Sequence, residues 1–176
     1  MTELATLDAY GVLTEPTTLR IQRLLPGPID HVWAYLTESE LRRQWLASGQ
    51  MEMKVDAPFE FVWRNNELSD PPGQRPAGFP EEHRMESRII ALDPPRVLTI
   101  GWNRSEVSFE LEPAGDKVLL TVTHRRVPDR SVLLNVSAGW HMHLDVLALR
   151  LDGKSATSFW DGWTRLKAEY EQRLPA

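Results

Sequence analysis

His124, His141 and His143 are the side chains of this sequence best suited to exchanging protons or directing hydrogen bonds at a bound molecule. The run His141-Met142-His143 invites a metal reading. On a helix, however, neighbours two apart point about 200° away from each other, so the two rings cannot grip one ion. The chain has no cysteine, which removes thiolate ligands and a thiol nucleophile. No metal site and no organic cofactor are therefore expected. His141 and Asp145, four apart, share a helix face and read as a solvated pair. His143 interrupts an apolar helical stripe, and His124 shares the inward face of its strand with Leu120 and Val122. The two are either satisfied core histidines or the convergent polar groups of an otherwise apolar pocket. Neither stands beside a nucleophile, so no catalytic residue is assigned. Phosphate-loop glycines, a nucleophile elbow and a dinucleotide fingerprint are all missing.

Seven tryptophans in 176 residues are a high load. Trp33 and Trp163 read as core. Trp45, Trp63, Trp102 and Trp140 lie at the ends or on the inward faces of their elements, where a cavity wall would be. Each brings a large apolar area and an N–H that wants a partner when buried. With Phe61 and Phe109 on inward strand faces, the candidate ligand-binding set is Trp45, Phe61, Trp63, Trp102, Phe109, His124, Trp140 and His143. The choice of inward face is sensitive to a bulge, which moves every later side chain to the opposite face. Ala138 reads as a position where a larger side chain would fill the cavity.

These residues need a scaffold, and its elements follow from periodicity. Leu19 to Arg23 alternates as a strand. Pro-Gly-Pro breaks it and places Pro28 in the first turn of a helix, with Ile29, Val32, Trp33 and Leu36 along one stripe. Thr37-Glu38-Ser39-Glu40 has the form of a capping box that starts a second helix carrying Leu41, Trp45 and Leu46. Phe59 to Arg64, Arg84 to Ala91, Val97 to Trp102, Glu106 to Glu112 and Val118 to His124 alternate as strands joined by tight turns, an antiparallel meander. Met51 to Val55 is a further short strand by the same pattern. Asn65 to Pro80 has no periodicity and reads as a disordered surface loop or as a lid over a cavity mouth, with Phe79 near its end. From Leu134 to Leu151 the apolar residues recur at helical spacing, and Asp152-Gly153 stops the run. Ser158 to Leu174 adds an outer helix.

Composition bounds the function classes. Residues 1–176 read as one domain, long enough for a single core. The 20 basic and 25 acidic residues leave a net charge of -5, with no footprint for nucleic acid and little attraction to anionic lipid. Met1 to Thr14 carries Glu3 and Asp8 and no basic run, unlike a signal peptide. No apolar run approaches the roughly 20 residues of a membrane span. A cytoplasmic protein is expected.

Trp33-x-x-Leu36-Thr37 with Trp45, and Gly139-Trp140 followed by His143-Leu144, in this order of elements, resemble the START-like (helix-grip, SRPBCC) superfamily. Within it they resemble the branch named after the activator of the ninety-kilodalton heat-shock chaperone ATPase. The resemblance covers roughly residues 16 to 174. It implies an α+β fold in which a curved antiparallel sheet of about six to seven strands wraps a long C-terminal helix. Two short helices follow the first strand, and an apolar cavity lies between sheet and long helix. The superfamily binds sterols, lipids and polyketides, and some members are cyclases, dehydratases or hydrolases. Fold does not fix function. The expected function is binding of an apolar small molecule. The alternatives are a cofactor-free enzyme on such a molecule, with His124 or His143 in acid–base roles, and a chaperone-interacting protein. A homodimer is a further candidate assembly.

Overall fold

Alternation of large apolar with polar residues along most of each strand makes the sheet. The computed structural model describes residues 8–175, so half of the acidic N-terminal stretch read above lies outside the described residues. The strands are β1 (Val12–Glu15), β2 (Thr18–Pro26), β3 (Pro58–Trp63), β4 (His83–Asp93), β5 (Val97–Trp102), β6 (Ser105–Ala114) and β7 (Lys117–Arg125). They form one seven-stranded sheet in the order β1-β2-β7-β6-β5-β4-β3, antiparallel at each pairing. From β4 to β7 the links are a few residues long and allow nothing else, because a parallel crossover needs a dozen residues or more. Inward residues such as Ile21, Phe61, Ile89, Ile100, Phe109, Leu120 and Val122 are buried. A register shift between Ile89 and Ala91 leaves Ile90 exposed.

Two short helices, α1 (Ile29–Thr37) and α2 (Ser39–Arg42), lie between β2 and β3. The long helix α3 (Arg130–Leu151) packs on the sheet, with Trp140, Leu144 and Leu147 buried. This is the helix-grip α+β fold. Among the described residues α3 is the one helix long and apolar enough to cross a membrane, but 61% of that apolar stretch is buried in the protein as core. Helix α4 (Phe159–Arg173) lies against α3. Gly162 permits the approach: a Cβ there would sit 2.6 Å from Met142 Sδ.

Several local expectations need correction. Met51 to Val55 forms no strand; it is a loop exposing Met53 and Val55, and among the described residues the outer edge of β3 pairs with Ser48 alone. The capping box does not form. Thr37 is still in α1, where its hydroxyl donates to Trp33 O at 3.0 Å, so Glu38 takes the N-cap position without a side-chain bond. Trp33 is only partly buried. The long helix starts four residues before Leu134, because the Asp129 carboxylate accepts from Val132 N (2.9 Å) and caps it. Its C-terminal stop is as read: Gly153, at φ +72°, ends the helix with its N–H donating to Arg150 O.

Candidate functional site

On α3, Val136, Gly139, Trp140 and His143 fall at i, i+3, i+4 and i+7, one continuous stripe. Gly139 leaves that stripe without a side chain at its centre. Opposite stand Trp63 and Trp102, the last residues of β3 and β5, and beside it Phe159, Trp160 and Trp163 from the first turns of α4. These surfaces fail to meet, and a cavity of about 390 Å³ remains, with Phe79, Pro80, Glu81 and His83 around it as well. Its rings touch edge-on: Trp63–Trp102 at 5.3 Å, Phe79–Trp163 at 5.1 Å and Trp160–Trp163 at 6.0 Å between centroids. Such contacts hold an aromatic wall in one shape.

Of the eight residues singled out from sequence, Trp63, Trp102, Trp140 and His143 line this cavity. Trp45, Phe61, Phe109 and His124 are buried one layer behind. Trp45 donates from Nε1 to Tyr35 O (2.8 Å) and offers its own carbonyl to His143. Phe61 packs against Trp63 at 5.2 Å, with the Arg42 guanidinium over its ring at 4.9 Å. Phe109 and His124 both pack on Trp140, whose indole belongs to the wall. Ala138 is sealed in the core, and it is the neighbouring Gly139 that faces the void.

The three histidines have different fixed states. His143 Nδ1 lies 2.7 Å from Trp45 O. A carbonyl only accepts, so Nδ1 carries the proton and Nε2 a lone pair. His124 is the reverse: its Nδ1 accepts from Trp140 Nε1 at 3.1 Å, so Nε2 bears the proton, buried without a partner. Burial pushes both imidazoles down to about 4, with the Trp45 hydrogen bond opposing the shift at His143. His141 faces the other way, as its spacing from His143 requires. It is not a solvated partner of Asp145 but a buried ring, with Nδ1 2.9 Å from the Tyr170 hydroxyl and Nε2 3.6 Å from Asp145. Burial lowers its pKa, and the Asp145 carboxylate opposes that. Arg23, 3.0 Å from Asp145, completes a polar cluster away from the cavity.

The 65–80 segment is tied down along its length rather than loose on the surface. Leu68 is buried. Ser69 Oγ accepts from Phe159 N (2.9 Å), Pro71 O from Ser158 N (2.6 Å), and Pro72 O from Trp160 N (2.9 Å). Asp161 in turn accepts from Gln74 N at 2.9 Å. The segment therefore supplies the free N–H groups at the start of α4 with partners. It also delivers Phe79 to the cavity, 5.7 Å from Trp160.

Sequence reasoning missed the contribution of α4, which reads as an outer addition. The signal was present: Phe159, Trp160 and Trp163 at i, i+1 and i+4 form too dense an aromatic face for a solvated helix. Asn65 and Asn135 also line the cavity, and each has a buried Oδ1 without a partner. Among the described residues no group of three or more His, Asp or Glu is placed to hold a metal ion.

Comparison with known proteins agrees with this architecture. The protein encoded by gene BPP1335 from Bordetella parapertussis, solved by solution NMR, is 36% identical and superposes with a TM-score of 0.79, over 100% of this chain and 97% of that one. CalU16 from Micromonospora echinospora shares 22% identity and a TM-score of 0.64, over 89% of this chain and 84% of its own. A conserved protein of unknown function from Enterococcus faecalis, EF2215, shares 18% and 0.67, over 90% and 86%. No curated protein matches. The sequence model described as activator of Hsp90 ATPase homolog 1-like protein matches residues 26–152, from the end of β2 to the C-cap of α3. The chain therefore belongs to the family of proteins like the activator of Hsp90 ATPase homolog 1.

Proposed function

We propose that this protein binds a small apolar molecule in the cavity between α3, α4 and the ends of β3 and β5. The observation that carries this reading is a void of about 390 Å³ whose wall carries five tryptophans and two phenylalanines. Ligand pockets commonly measure about 300–1,000 Å³ and are apolar with a few fixed polar groups, so a ligand of modest size fits. Trp63, Trp102, Trp140 and His143 make the direct contacts. Trp45, Phe61, Phe109 and His124 hold them in place from behind. An affinity in the micromolar range, roughly 8 kcal/mol, is expected.

Gly139→Leu tests this. A Cβ at Gly139 meets Trp163 Nε1 at 3.9 Å, an ordinary contact, so the backbone tolerates it. Removing a mid-helix glycine also favours the helix by about 0.5–1 kcal/mol. The added side chain occupies the void. Quenching of tryptophan fluorescence by neutral bicyclic aromatics should weaken at least tenfold, with the urea midpoint unchanged or raised. Equal quenching in both proteins overturns the assignment.

The family's namesake supports a second reading, docking on a heat-shock chaperone. Met53, Val55 and Ile90 are exposed, and the loop carrying the first two is tied to β4 where Asp56 N donates to Ile89 O (2.8 Å). Stimulation of the chaperone ATPase, lost in a Val55→Asp variant, would favour it. Turnover of a bound molecule, lost in His143→Leu, would replace the binder by an enzyme.

A further inference from the structure

We propose that the cavity recognises aromatic molecules bearing a carbonyl oxygen, which the indole N–H groups of Trp63 and Trp102 hold. This rests on the binding role proposed above and adds the chemistry of the ligand. Five tryptophans line the void, and three of them use their N–H within the protein. Trp140 Nε1 donates to His124 (3.1 Å), Trp160 Nε1 to Asn66 Oδ1 (2.6 Å) and Trp163 Nε1 to Asn135 O (3.4 Å). Trp45, one layer behind, gives its own to Tyr35 O. Trp63 and Trp102 break this pattern: among the described residues neither indole N–H has an acceptor. Trp63 is nonetheless only 7% exposed, and a buried indole N–H usually finds a partner. Neither nitrogen is sealed in the core, so each is open to a partner from outside the protein.

Both donors are fixed in advance. The two rings pack edge-on at 5.3 Å, and Phe61 lies behind both, 5.2 Å from Trp63 and 6.0 Å from Trp102. His83 flanks Trp63 at 5.4 Å, and Trp140 flanks Trp102 at 5.1 Å. Rings held on several sides leave little to order when a ligand arrives. An indole nitrogen is a donor only, so what satisfies it is an acceptor. A purely apolar ligand would displace water from these N–H groups and leave them bare, whereas a carbonyl takes the place of that water. The side-chain amides of Asn65, Asn103 and Asn135 add donors to the same wall, while Oδ1 of Asn65 and of Asn135 is sealed from it. His143 Nε2 supplies an acceptor, because Nδ1 is bonded to Trp45 O. A hydroxyl elsewhere on the ligand is therefore accommodated, and the selection rests on the carbonyl.

The test is an isosteric pair, 2-acetonaphthone and 2-isopropenylnaphthalene, in which a C=O stands in place of a C=CH2. Titrated calorimetrically at pH 7, the ketone should bind about tenfold tighter than the alkene, the value of one added hydrogen bond. In proton–nitrogen correlation spectra the indole N–H signals of Trp63 and Trp102 should lie downfield in the ketone complex relative to the alkene complex. The Trp160 signal, whose N–H is already bonded to Asn66, should be alike in both. Both measurements use the unaltered chain, so no variant has to fold. Equal affinities, or Trp63 and Trp102 signals that coincide in the two complexes, overturn the carbonyl assignment and leave the binding role standing. Failure of both molecules to bind overturns the binding role, and the carbonyl assignment with it.

Discussion

Between pH 6.5 and pH 4 this protein should lose on the order of 6 kcal/mol of folding stability, with little change between pH 8 and pH 7. His124 and His143 are held near 4 in the fold against 6.5 in the open chain, because burial disfavours their charged forms. The sign follows from which state takes up protons first. Below pH 6.5 the unfolded chain binds them and the folded one does not, so each step down favours unfolding. The loss levels off once the folded rings also protonate, near pH 4. A shift of this size is worth on the order of 3 kcal/mol per histidine, and His141, lowered in the same direction, adds to it. Since a domain of this size is stable by about 5–15 kcal/mol, much of its reserve goes. Urea midpoints followed by far-ultraviolet dichroism at pH 7.5, 6.5, 5.5 and 4.5 should fall steeply over the last three. A midpoint that holds to pH 4.5 would mean that neither ring is buried as described.

Arg42→Met should cost on the order of 3–5 kcal/mol, far more than a surface arginine. Arg42 is 1% exposed. Its guanidinium donates to Leu36 O (3.2 Å), Ala47 O (3.1 Å) and Gly49 O, joining the end of α1 to the turn that follows α2. Among the described residues no carboxylate pairs it, and burial lowers its pKa to about 10, so it stays charged at neutral pH. Methionine fills similar volume but leaves three carbonyls without a donor. Lysine keeps the charge without the planar fork and should recover less than half of the loss. The consequence reaches the cavity, because this turn carries the Trp45 carbonyl that fixes the His143 tautomer. A destabilisation below about 1 kcal/mol would show that water replaces the guanidinium.

The strands and the long helix were legible because each buries one face, and one buried face imposes period two or period 3.6 on its side chains. Leu19–Arg23, Phe59–Trp63, Val97–Trp102 and Val118–His124 carry that imprint, and the structure keeps them as strands. β1 was missed: it has four residues joined to β2 through Pro16-Thr17, and only Val12 and Leu13 are apolar. Arg42 was missed because composition marks arginine as solvated, and only the fold brings three carbonyls around it. The histidines were legible as inward residues but not in their tautomers, which depend on Trp45 O and Trp140 Nε1 from distant elements. Within the aromatic set, alternation separates inward from outward, not wall from core. Trp63 and Phe61 share one inward face, yet the cavity begins where β3 ends, so Trp63 meets it and Phe61 does not.

Intermolecular nuclear Overhauser contacts from bound 2-naphthol test most directly whether the void is the binding site. Saturated with that ligand, the protein should show contacts from naphthyl protons to the indoles of Trp102, Trp140 and Trp163 and to the Gly139 Hα protons. Contacts confined to exposed residues such as Met53 and Val55, with the Trp140 indole silent, would contradict it.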